Sequence, residues 1–101
     1  MSAGVSAVVF DRDGVLIASP VVDGAPVAIR SVEELRYTDE AAAVCADLSR
    51  AGLPLFVFTN QPDVVRGRTS QAAVEAINDA VQAHLGIRAV ACCMLDGDDA
   101  P

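Results

Sequence analysis

The stretch that decides the fold is AVVFDRDGVLI, residues 7–17, read together with LPLFVFTNQ, residues 53–61. Each is a short apolar run that stops abruptly at polar residues. Val5 to Phe10 ends at Asp11, and Leu53 to Phe58 ends at Thr59. Continuous apolar runs of this length, bounded by charge, read as strands buried on both faces, the habit of parallel sheets. Pro54 must then sit at the start of its strand, because proline cannot donate to a central ladder.

The segments between and beyond these runs read as helices. Thr38 is a candidate cap for a helix over about 39–51, with Asp39 and Glu40 in its first turn. Its apolar positions Ala41, Val44, Cys45 and Leu48 follow helical spacing, and Gly52 stands where a left-handed stop belongs. A second helix is expected from about Ser70 to Leu85, with Val74, Ile77, Val81 and Leu85 inward and Gly86 after it. A third strand follows over 88–95. Residues 18–30 form an excursion in which Asp23-Gly24 suggests a small hairpin, and Ser31-Val-Glu-Glu34 resembles a capping box. The order β, excursion, α, β, α, β implies right-handed crossovers and a parallel sheet, whose ligands bind beyond the carboxyl ends of the strands.

Composition bounds the function. The chain has 101 residues, 52% of them apolar, which suits one domain with a real core. The formal net charge of −7 disfavours nucleic acid and anionic lipid as partners. All seven basic residues are arginine, so every mechanism that needs an ammonium group is excluded. The three cysteines, Cys45, Cys92 and Cys93, are too few and too adjacent for a disulfide framework. With no membrane-length apolar segment and no signal-like N-terminus, a cytoplasmic protein is expected.

The strand ends carry the chemistry. Asp11 and Asp13 lie two apart, and on an extended backbone both carboxylates would point the same way. Two carboxylates on one side favour a cation, and magnesium suits few carboxylates plus phosphate oxygens. One carboxylate can attack phosphorus while the other exchanges a proton with the leaving oxygen and then with water. Thr59, with Asn60 and Gln61, adds neutral donors for phosphate oxygens. Taken alone, each motif also reads as a polar turn after a strand. Together, with a helix between them, they are much more specific.

This combination resembles the haloacid dehalogenase (HAD) superfamily of phosphotransferases. AVVFDRDGVLI resembles its first motif, which implies Asp11 as nucleophile and Asp13 as acid/base, both on Mg2+. FVFTN resembles the second, which implies Thr59 as phosphate ligand. The branch containing histidinol-phosphate and heptose-bisphosphate phosphatases is more similar still, through DRDG, a short insert in place of a cap, and RSVEELRYTDEAAAVCADLSRAGLPLFVFTNQPDVVRG. That resemblance puts Gln61 and Arg66 near substrate phosphate or sugar. It implies a three-layer α/β/α Rossmann-like core with a parallel sheet, one domain over 1–101 and a small insert at about 18–37.

Two family motifs have no counterpart. No lysine exists to offset the negative cluster, and Arg88 begins a strand rather than ending one. The acidic stretch Asp96-Gly97-Asp98-Asp99 follows the third strand, one strand too early for the last acidic motif. Cys92 and Cys93 stand near the first cysteine of the branch's zinc loop, but two adjacent thiols are not a zinc site. The domain therefore reads as truncated at its C-terminal part. Three functions follow as expectations. The first is a magnesium-dependent phosphatase of a small phosphorylated metabolite. The second is an impaired remnant that binds phosphate or a partner. The third, a receiver-type phosphoacceptor, is disfavoured because it requires a lysine. An exposed third strand would offer an edge for homo-oligomer formation.

Overall fold

The computed structural model describes residues 6–94. In chain order the elements are β1 (Val8–Asp11), β2 (Val21–Val22), β3 (Ala25–Pro26), a 3-10 turn (Val32–Glu34), α1 (Ala41–Arg50), β4 (Leu55–Asn60), α2 (Gln71–Leu85) and β5 (Ala89–Cys93). β1, β4 and β5 form a parallel sheet in that spatial order, with Asp11 beside Phe58 and Asn60 beside Cys93. The carboxyl ends of all three strands therefore share one edge, as the alternation of strands and helices predicts.

Because the sheet grows in one direction, right-handed crossovers place α1 and α2 on the same face. The two helices pack against each other, α1 against β4 and α2 against β5. Leu55 and Val57 of β4, Cys45 of α1, and Ile77, Val81 and Leu85 of α2 form the core between these layers. Burying a side chain such as Ile77, which is fully enclosed, contributes about 2–3 kcal/mol. The expectation that the apolar runs are covered on both faces fails within the described residues. Val9 is 65% exposed and Phe58 54% exposed. They lie on the sheet face opposite the helices, so two of the expected three layers are described.

Helix α2 follows the sequence closely. The Ser70 hydroxyl accepts from the Ala73 amide, and Gly86 takes a left-handed conformation with φ 69°. Helix α1 starts later than the sequence suggests. Thr38 does not cap it, because its hydroxyl donates to the carbonyls of Val15 and Leu16 instead. The excursion is a two-stranded hairpin with Asp23 and Gly24 at positive φ, the signature of a type I′ turn. Glu34 binds the Ser31 hydroxyl and the Arg30 amide, a variant of the capping box shifted back by one residue. Buried Ile17 and Ile29 fasten this excursion to the core. Among the described residues no helix is long and apolar enough to cross a membrane.

Candidate active site

Asp11 closes β1 and is exposed at the carboxyl edge of the sheet. The extended backbone ends there. The amides of Leu16 and Ile17 both donate to the Arg12 carbonyl, and the Gly14 amide donates to the Ile17 carbonyl at 2.8 Å. Gly14 supports this tight return with φ 79°, which glycine adopts without steric penalty. Asp13 is thus delivered by a compact turn, and strand alternation does not govern its direction.

Gln61 joins the two motifs. Its Nε2 donates to Asp13 Oδ2 at 2.6 Å and to Thr59 Oγ1 at 2.8 Å. Its own amide donates to the Cys93 carbonyl at 2.6 Å, which anchors the residue to the end of β5. Gln61 and Thr59 are both buried. Because the Thr59 hydroxyl already accepts from Gln61, its proton remains available to donate elsewhere. Asp13, Thr59 and Gln61 are therefore brought together. Asn60 is exposed at the end of β4 beside this group. Arg66 lies in the following loop, 3.9 Å from the Asp63 carboxylate, and lines a cavity there with Arg30 and Arg68.

Arg12 is the residue that sequence reasoning missed. Its side chain is fully buried, and its guanidinium lies 3.1 Å from Asp13 Oδ1 and donates to Asn78 Oδ1 at 2.8 Å. A buried cation is tolerated only with partners that replace water, and these two side chains are such partners. No local signal marks it, because its acceptor Asn78 lies 66 residues away in sequence.

Two of the cysteines, Cys45 and Cys92, are disfavoured as thiolates by their surroundings. Burial pushes the Cys45 thiol above its ordinary range. Burial does the same for Cys92, outweighing the Asn78 hydrogen bond and the Arg12 charge that pull the other way. All three cysteines are free. His84, near the end of α2, stacks on Tyr37 with ring centroids 4.2 Å apart. Arg88 precedes β5, and its carbonyl accepts from Gln82 Nε2. The acidic stretch 96–99 lies outside the described residues. Among the described residues no three His, Cys, Asp or Glu side chains gather as a metal site. Magnesium asks less of a protein. One or two carboxylates suffice where water and phosphate oxygens complete the shell, and the donor chemistry of Asp11 and Asp13 fits that requirement.

No family model matches this chain, and no curated protein matches it. Solved structures do. The chain superposes on the D,D-heptose 1,7-bisphosphate phosphatase of B. bronchiseptica, solved with magnesium and phosphate, with a TM-score of 0.79 and 24% identity over 96% of its length. It also superposes on a HAD-like phosphatase structure from Mesorhizobium loti, with a TM-score of 0.67 and 28% identity over 87% of its length. The chain has the HAD-like phosphatase fold. The HAD-like core described here spans 54% and 42% of those two chains, about half their length.

Proposed function

We propose that this HAD-like chain is a magnesium-dependent phosphatase that hydrolyses a small phosphorylated metabolite through an aspartyl-phosphate. The observation that carries this reading is the bond pair from Gln61 to Asp13 and Thr59, beside Asp11 at the carboxyl edge of the sheet. The solved phosphatases that share the fold support it.

In this mechanism a carboxylate oxygen of Asp11 attacks phosphorus and the bond to the ester oxygen breaks. Asp13 gives that leaving oxygen its proton. Water then attacks the phosphoryl group, Asp13 takes a proton back, and Asp11 and inorganic phosphate are released. The Thr59 hydroxyl donates to a phosphoryl oxygen, and Asn60 adds a neutral donor at the rim. Gln61 holds Asp13 and Thr59 in fixed relation, so little reorganisation accompanies the reaction. Asp11 and Asp13 would hold magnesium, which when bound would neutralise charge on the phosphoryl oxygens.

A second reading draws on one observation. Both carboxylate oxygens of Asp13 are already engaged, by Arg12 and by Gln61, and the chain has no lysine. That arrangement also suits a remnant that binds phosphate without turning it over. A phosphate-release panel of sugar phosphates and histidinol phosphate, run with magnesium and again with chelator, separates the two. The phosphatase reading expects release that requires magnesium and disappears in Asp11→Asn. Magnesium and phosphate binding without release supports the remnant.

A further inference from the structure

Burying a polar side chain costs free energy unless partners replace the lost water. Among the described residues four polar side chains are buried: Arg12, Thr59, Gln61 and Asn78. All four belong to one hydrogen-bonded network around Asp13. Asn78 Oδ1 accepts from Arg12 Nη1 at 2.8 Å. The Arg12 fork reaches Asp13, Gln61 holds Asp13 from its other oxygen, and the same Gln61 nitrogen reaches Thr59. Arg12, Thr59 and Gln61 come from the strand ends at the reactive edge, but Asn78 does not. It sits in the middle of α2, in the buried stripe that Val74, Ile77 and Val81 otherwise fill with apolar packing. Asparagine is a weak helix former, so the stability of α2 gives no reason for it there.

The geometry supplies a reason. Arg12 and Asp13 are neighbours on one tight turn, so their ion pair alone does not tie Asp13 to the body of the fold. Gln61 grips a single oxygen, Oδ2, at 2.6 Å, which leaves the carboxylate free to turn about that contact. Its other oxygen, Oδ1, accepts from Arg12 Nε at 3.2 Å and Nη2 at 3.1 Å. Fixing the guanidinium plane therefore fixes the carboxylate plane. Asn78 does so from a 15-residue helix, a rigid support of the kind that holds a reacting group precisely. Asn78 is itself held at both ends, because a side-chain hydrogen bond links it to Cys92 in β5. With Oδ1 committed to Arg12, its amide nitrogen is the end that serves the thiol.

We propose that Asn78 is a positioning residue for Asp13, acting through Arg12. The proposal rests on the phosphatase reading, in which Asp13 protonates the leaving oxygen. Asn78 itself touches neither substrate nor metal. A general acid works when its proton lies within hydrogen-bond reach of the atom it serves. A carboxylate that turns away loses rate while the phosphoryl group is bound as before. The loss is greatest for esters whose leaving oxygen is strongly basic. It is least for a nitrophenolate, which departs with little help from a proton.

The test compares glycerol 2-phosphate with p-nitrophenyl phosphate, on the full chain with magnesium, in wild type, Asn78→Leu and Asn78→Asp. In Asn78→Leu, kcat on the glycerol ester should fall about tenfold more than on the nitrophenyl ester, with KM little changed. Asn78→Asp keeps the acceptor for Arg12 Nη1 and should restore the wild-type ratio. Asn78→Ala, which leaves room for water, should show the same pattern in smaller degree and replaces Asn78→Leu if that variant does not fold. A second readout is independent of turnover. The Arg12 Nε–H resonance, assigned by its loss in Arg12→Lys, should shift and exchange faster with solvent in Asn78→Leu and stay in place in Asn78→Asp. Equal losses on both esters, an Arg12 resonance that does not respond, or an Asn78→Asp chain that behaves like Asn78→Leu overturns the proposal. A wild-type chain that hydrolyses neither ester while the Arg12 resonance responds as expected contradicts the phosphatase reading, and reduces Asn78 to a structural anchor of Arg12.

Discussion

Gln61 Nε2 stands 2.6 Å from Asp13 Oδ2, so the end of β4 holds the turn that follows β1. The same nitrogen reaches Thr59 Oγ1, and the backbone amide of Gln61 is fixed to β5. One buried amide side chain thereby sets the relative position of groups from two motifs that lie 46 residues or more apart in sequence.

Replacing Gln61 by Leu should leave Asp13 and Thr59 without their shared donor. Phosphatase activity is expected to fall by about 10²-fold, the size of effect that misplaced catalytic groups produce. Thermal stability should fall less, by about 1–2 kcal/mol, because Asp13 is part-exposed and water can replace the donor. Steady-state kinetics beside a urea melt checks both. Unchanged kcat would remove Gln61 from its positioning role.

The Arg12 guanidinium is enclosed between Asp13 and Asn78. Arg12→Ala should destabilise the chain by about 3 kcal/mol, the order found when one partner of a buried pair is removed. Arg12→Lys should recover only part of this, since an ammonium cannot reproduce the planar fork. Chemical denaturation of both variants measures the difference. Equal stability of Arg12→Ala and wild type would contradict the role assigned to the network.

At the two ends of α2, Ser70→Ala should cost about 1 kcal/mol through loss of the bond to the Ala73 amide. Gly86→Ala should cost about 1–2 kcal/mol from the left-handed backbone alone, because a Cβ at that position meets no atom within 4 Å. Gly86→Asn should be milder. Urea midpoints order the three variants.

Stability should also decline in alkali. Burial raises the Cys45 thiol above 9.0 and the Tyr37 phenol above 10.0. The unfolded chain releases these protons at the ordinary values, while the folded chain retains them to higher pH. Between the two, the unfolded state binds fewer protons, so unfolding free energy falls as pH rises. The contribution is fully present below about pH 8, under the ordinary thiol value. Urea melts at neutral and alkaline pH check the slope, and Cys45→Ala should flatten its lower part.

Much of this architecture was legible from residue order because several local signals agreed. For α2, the spacing of Val74, Ile77, Val81 and Leu85, with a glycine after them, points to one helix, and the structure adds the Ser70 cap and the left-handed Gly86. DRDG and TNQ likewise both follow apolar runs, and the parallel pairing of β1 with β4 places those strand ends on one edge. What was not legible depends on tertiary partners. Thr38 is a good capping residue, but the carbonyls of Val15 and Leu16 compete for its hydroxyl. Arg12 looks like one more surface charge until Asn78, 66 residues away, supplies its acceptor. The exposure of Val9 and Phe58 among the described residues could not be foreseen, because an apolar strand reads the same whether one face or both are covered.

The central claim, covalent catalysis by Asp11, is tested most directly by single-turnover labelling. The chain is mixed with magnesium and a radiolabelled phosphate ester that it hydrolyses, quenched in acid and mapped by peptide sequencing. The account predicts a transient, hydroxylamine-sensitive label on the peptide containing Asp11, absent from Asp11→Asn. Phosphate release without any such label, or undiminished turnover by Asp11→Asn, would contradict it.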